Sequence, residues 1–145
     1  VTARPPVPVH LHWRSILLVF AGGALGTAIR YLLTLAVPPA QGVPFTTFVI
    51  NVVGAFVLGW LLQALALRGR DEGRRRDVRL FAGTGILGGF TTYSALAVDT
   101  DGLIAGHDIA IGIGYSVLTV AVGAAATAAG IASATAIARR AAGRS

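Results

Sequence analysis

The stretch Gly83-Thr84-Gly85-Ile86-Leu87-Gly88-Gly89-Phe90-Thr91-Thr92-Tyr93-Ser94-Ala95-Leu96 decides how this chain is read. It sits inside an uncharged apolar run from Leu80 to Val98, so its environment is lipid or protein rather than water. Yet it holds Gly88-Gly89 followed by Thr91-Thr92, the residues least suited to an uninterrupted helix. A break near mid-membrane is the expectation. A break frees main-chain carbonyls that lipid cannot solvate, so such a span must be buried in protein. Free carbonyls suit a dehydrated cation, while neighbouring N–H groups and hydroxyls suit an anion.

Working outward, three further apolar runs flank this one: Ser15 to Val37, Thr47 to Leu67 and Ile109 to Ala138. A helix rises about 1.5 Å per residue and a hydrocarbon core is roughly 30 Å thick, so about 20 residues span it. The expectation is an all-α integral membrane protein: one membrane domain over residues 1–145 with four transmembrane helices at about 15–37, 47–67, 80–98 and 109–138. The first run continues past Gly22 and Gly26 to Val37, too far for a cleaved signal, and is read as a retained span. Composition agrees, since 54% of the 145 residues are hydrophobic, 12% are charged and the mean hydropathy is +0.73, which excludes a water-soluble globule. There is no Cys, so disulfide and thiol chemistry are excluded.

All twelve basic residues are Arg, and the formal net charge is +6. They do not form a nucleic-acid surface, because they sit in the two tails and in the loop from Arg68 to Arg79. Only Arg30 lies within a span; the other two loops carry no basic residue and hold Asp99, Asp101 and Asp108. By the positive-inside rule both termini are expected in the cytoplasm. The loop itself is read as a solvated charge cluster that anchors topology.

Some residues within the spans exceed what a lipid anchor needs. Gly22 with Gly26, Ala55 with Gly59, and Gly85 with Gly89 are small pairs four apart, the spacing of close helix contact. Arg30, two thirds along its span, costs on the order of 2.5–3.5 kcal/mol unless it snorkels or is paired. It is either an interfacial anchor or a cationic vestibule for anions. Asn51 is either an interhelical structural bond or a donor facing a polar pathway. Tyr93, Ser94 and Leu96 follow the glycine-threonine centre, and Tyr115, Ser116 and Thr119 lie on the fourth run. Asn51 and these hydroxyls make a donor-rich track without an acid, the chemistry of a small-anion route.

Three segments carry a resemblance: Gly22-Gly23-Ala24-Leu25-Gly26-Thr27-Ala28-Ile29-Arg30-Tyr31, the stretch from Pro44 to Gly59 that contains Asn51, and Gly85 to Ser94. In this order, from about Leu17 to Gly130, they resemble the CrcB/Fluc family of fluoride channels. The resemblance implies an antiparallel dimer in a bacterial plasma membrane, exporting F⁻ through two narrow paths, with a structural Na⁺ held by main-chain carbonyls at the broken third helices. It puts those carbonyls on Gly88 and Thr91, the pore asparagine on Asn51, the vestibule arginine on Arg30, and the fourth-helix tyrosine and hydroxyl on Tyr115 and Thr119. The family's two pore phenylalanines fall on Tyr93 and Leu96, and its glutamate falls on Asp99. Tyr93 keeps an aromatic edge for an anion, but Leu96 has none to offer.

An antiparallel homodimer would require one sequence to insert both ways, which the arginine bias opposes. Pairing with a related, oppositely oriented subunit is therefore expected. Alternatives are a small multidrug-type four-span exporter, which needs an acid that the first span lacks, and a non-conducting partner subunit. No enzyme is expected, since no His, Cys or carboxylate cluster lies within a span.

Overall fold

The structure, a computed structural model, describes residues 12–37, 44–106 and 109–143. Arg4, Arg144, Asp108 and, of the expected first connection at 38–44, all but Pro44 lie outside the described residues. The described elements are all helical: α1 (Trp13–Ala36), α2 (Phe45–Ala66), α3 (Arg74–Val78), a π-helical segment (Arg79–Leu87), α4 (Gly88–Phe90), α5 (Tyr93–Ala105) and α6 (Ile109–Ala142). Three of them, α1, α2 and α6, are long and apolar enough to cross a membrane. At about 1.5 Å per residue the 34-residue α6 reaches about 51 Å, so it must tilt or project beyond the hydrocarbon core.

The remaining expected span is not one helix. From Arg74 the chain winds through α3, widens into nine π-helical residues rich in glycine, makes one α turn at Gly88–Phe90 and leaves the helix at Thr91 and Thr92. Both threonines are extended, with ψ 154° at Thr91 and φ −149°, ψ 122° at Thr92. The break thus falls where it was expected in the sequence, but on the β-branched threonines rather than on the glycines, which stay helical. Three boundaries differ clearly from expectation: helix continues to Ala105, well beyond Val98, the Arg-rich loop turns helical at Arg74, and α6 runs to Ala142 rather than Ala138.

Glycines set the packing. Gly22 and Gly26 of α1 lie so close to the main chain of the π segment that an added methyl would collide with the Phe81 and Ile86 carbonyls. Gly59 and Gly130 hold α2 against α6 in the same way, with Gln63 donating to Thr135 at 3.1 Å. In both pairs residue numbers rise together, so α1 runs parallel to the π segment and α2 parallel to α6. The buried core is thin, holding Ile50, Leu87, Leu96, Tyr115 and Ala134, while Trp13, Phe20, Tyr31 and Leu32 are all at least 60% exposed. Such an apolar exterior around three bilayer-length helices is that of a multi-pass membrane protein.

Apart from Arg30, the helix order gathers described arginines at one end. Arg14 shares a cleft with Asp77, Arg75 and Arg79 flank Leu62 and Leu65, and Arg68 faces Ala138 and Ala141. The loop is more built than a solvated cluster. Gly69 ends α2 with φ +116°. Arg75 then donates to the Arg68 and Arg70 carbonyls, Arg76 donates to the Asp71 carbonyl at 3.1 Å, and Arg79 pairs with the Asp71 carboxylate at 2.8 Å. The hydrogen bond from Arg79 holds the Asp71 carboxyl below its ordinary value, against a desolvation penalty and with help from the charges of Arg79 and Arg76.

Candidate functional site

The break is held open by side chains from two other helices. Asn51, on α2, reads Thr92 as a neighbouring strand would: its Nδ2 donates to the Thr92 carbonyl at 3.0 Å and its Oδ1 accepts from the Thr92 N–H at 2.8 Å. Thr92 in turn caps α5, its Oγ1 accepting from Ala95 N at 3.1 Å. These bonds divert two of the four amides, those of residues 92 to 95, that an unbroken helix would use here, since Thr92 N–H is the fourth-residue partner of the Gly88 carbonyl and Ala95 N–H that of Thr91. Gly88 and Thr91 therefore lose those partners. Between them, the Gly89 carbonyl accepts from Arg30 Nε at 3.2 Å and from Thr27 Oγ1 at 3.4 Å. Arg30 is half-buried, and this bond ties its guanidinium to the break.

Beyond the break, Ser94 is exposed and shares a 3.1 Å hydrogen bond with Thr92 Oγ1. A groove of about 710 Å³ opens between α5 and α6, with Tyr93 at its rim, 82% exposed, and Leu96 at its floor, 7% exposed. Thr100 and Ser116 face each other across it at 2.6 Å. Tyr115 and Thr119 are buried, and their hydroxyls are already committed: Tyr115 donates to the Pro44 carbonyl at 3.1 Å and Thr119 to the Tyr115 carbonyl at 2.7 Å. Asp99 lies beside the Tyr115 hydroxyl, and its Oδ2 is buried without a hydrogen-bond partner among the described residues.

Comparison with known proteins agrees in one direction. The family model described as CrcB-like protein, Camphor Resistance (CrcB), matches residues 17–131. A protein of Leifsonia xyli subsp. xyli named Fluoride-specific ion channel FluC 2 is 67% identical over 132 residues, 91% of each chain. Fluoride-specific ion channel FluC 1 of Cutibacterium acnes is 53% identical over 74% of this chain and 76% of its own, and FluC 1 of Streptomyces coelicolor is 39% identical over 80% and 77%. This chain belongs to the CrcB family.

Within this CrcB chain, the structure brings Asn51, Arg30, Gly88, Thr91 and Ser94 together around one break. Tyr93 and Leu96, three apart on α5, border one groove at different depths, and Tyr115 with Thr119 forms a separate buried stripe on α6. Three polar residues escaped the sequence reading. Thr27 could have been found, because it precedes Arg30 by three and shares its helix face. Thr92 looked like half of a threonine pair, and its capping role depends on where the helix restarts. Thr100 left no signal, since its partner Ser116 is on another helix. Among the described residues no group of three His, Cys, Asp or Glu gathers.

Proposed function

We propose that this chain is a subunit of a fluoride-selective channel that carries F⁻ out of the cytoplasm across a bacterial plasma membrane. The relatives that share its sequence are named fluoride-specific ion channels, and the chemistry around the break suits a small anion. The observation that carries the reading is the clamp of Asn51 on Thr92, which keeps a helix unwound among exposed apolar side chains. The segment from Arg74 to Ala105 then acts as the fourth membrane crossing, despite its break, and both termini lie on the cytoplasmic side with the arginines.

The Gly88 and Thr91 carbonyls fit a structural Na⁺, being the two whose helical amides are drawn elsewhere, while Arg30 occupies Gly89 and keeps it out of the set. Such an ion would supply a fixed positive charge beside the anion route. The chain's own donors serve the anion: Ser94, the second amide proton of Asn51, and the ring edge of Tyr93. Thr119 is buried and bonds back along its own helix to the Tyr115 carbonyl, so it would serve the anion only by exchanging that bond for the ion. α1 has no acid for proton-coupled export, which weighs against a multidrug-type exporter.

Two such subunits pair antiparallel, and the partner of this one is a homologue of opposite charge bias rather than a second copy. Relatives carry the numbered names FluC 1 and FluC 2, as expected where an organism holds more than one such chain and a homologue could serve as partner. Reconstitution into liposomes tests the whole reading. Fluoride efflux, sensitive to removal of external and internal Na⁺, is expected from the chain with its partner; efflux of cationic drugs, or no F⁻ flux in any pairing, would overturn it.

A further inference from the structure

The arginine-rich loop spends most of its charge on itself. Arg75 and Arg76 are bonded to loop carbonyls, Arg79 to the Asp71 carboxylate and Arg70 to Glu72 at 3.1 Å. Arg68 and Arg74 have no side-chain partner among the described residues. The two differ in place. Arg68 stands at the end of a groove of about 240 Å³ between the last turns of α2 and α6, whose walls are Trp60, Leu67, Ile137 and Ala141. No acid lines that groove, and Arg139 and Arg140 lie in the last turn of the same α6. The walls stay open, with Trp60 at 37%, Leu67 at 48% and Ile137 at 59% exposure.

We propose that this groove is a binding site for an anionic phospholipid, its phosphate against the Arg68 guanidinium and part of an acyl chain laid along Trp60 and Ile137. A single unpaired cation at the aqueous end of an apolar channel matches an amphiphile with one negative head and a hydrocarbon tail. A zwitterionic lipid offers the same phosphate but carries its own cation, which competes with Arg68. The site is independent of ion conduction, so it stands or falls separately from the channel reading.

Trp60 provides the probe. In nanodiscs of the full chain, with Trp13 replaced by Phe so that one indole remains, brominated phosphatidylglycerol should quench Trp60 at about fivefold lower mole fraction than brominated phosphatidylcholine. Arg68→Gln should erase that preference, and Arg74→Gln, the same charge loss outside the groove, should preserve it. Retention of phosphatidylglycerol in native mass spectrometry, compared between the wild-type chain and Arg68→Gln, gives the same answer without altering Trp13. Equal quenching by the two lipids, an unchanged preference in Arg68→Gln, or an equal loss in Arg74→Gln would each overturn the site, the last by showing general surface attraction.

Discussion

Asn51 carries more of this structure than its single amide suggests. It satisfies a donor and an acceptor on Thr92, both at a helix break where lipid offers no substitute. Asn51→Ala strands two main-chain groups at about 1–3 kcal/mol each, so unfolding in detergent should shift to clearly lower denaturant and ion flux should vanish. Asn51→Asp keeps the acceptor for Thr92 N–H but sets a carboxylate against the Thr92 carbonyl; it should rescue stability little, and wild-type unfolding of either variant would refute the clamp. Asp71 offers a second test, on the loop. Its pKa is lowered in the folded chain, so the stabilising pair is fully present above the ordinary carboxylate value and is lost as pH falls through the lowered one. Amide exchange in the loop, corrected for intrinsic rates, should be flat from pH 7 to about 5 and should loosen only below about pH 4. In Asp71→Asn that acid transition should be absent.

At the scale of helices, two glycine-lined seams fix the pairs α1 with the π segment and α2 with α6. A methyl at Gly26 meets the Ile86 carbonyl, a main-chain atom that cannot rotate away. Gly26→Ala should therefore cost at least the 1–3 kcal/mol typical of overpacking, read as a loss of folded yield and a lower unfolding midpoint. Gly114→Ala is the control, because nothing lies within 4 Å of its added methyl. If the two variants unfold alike, close packing is not what holds the seam. The glycine pairs named from sequence were right about contact, and Gly85 meets Gly22 across the seam as small pairs should. What they could not say was that the facing element would be a π-helix, a rare winding that small-residue spacing does not encode.

For the whole molecule, the arginine ends of α1, α2 and α6 and the loop share one end of the bundle. The chain expressed alone should insert in a single orientation. Because it has no native Cys, single cysteines at Gly143 and at Asp101 can be labelled cleanly from either side. Position 101 should react only from outside and position 143 only from inside, and dual labelling of each would remove the case for an oppositely oriented homologue. Efflux should likewise need that homologue, because Leu96 offers no aromatic edge where the family resemblance expects one.

Local composition was enough for the solvent, the helical class, the end at which charge gathers and the neighbourhood of the break: these follow from hydrophobic length, arginine placement and the run Gly88-Gly89-Phe90-Thr91-Thr92. It also singled out Asn51 and Arg30 as residues needing partners, since an amide or a guanidinium in an apolar run is costly alone. Which atoms they partner was decided only in three dimensions. Arg30 found the Gly89 carbonyl and Asn51 found Thr92, more than forty residues away in each case, and those bonds determine which carbonyls stay free. A hydrogen bond between distant helices depends on their register, and register is set by the close packing of the whole bundle, a property that no local pattern records.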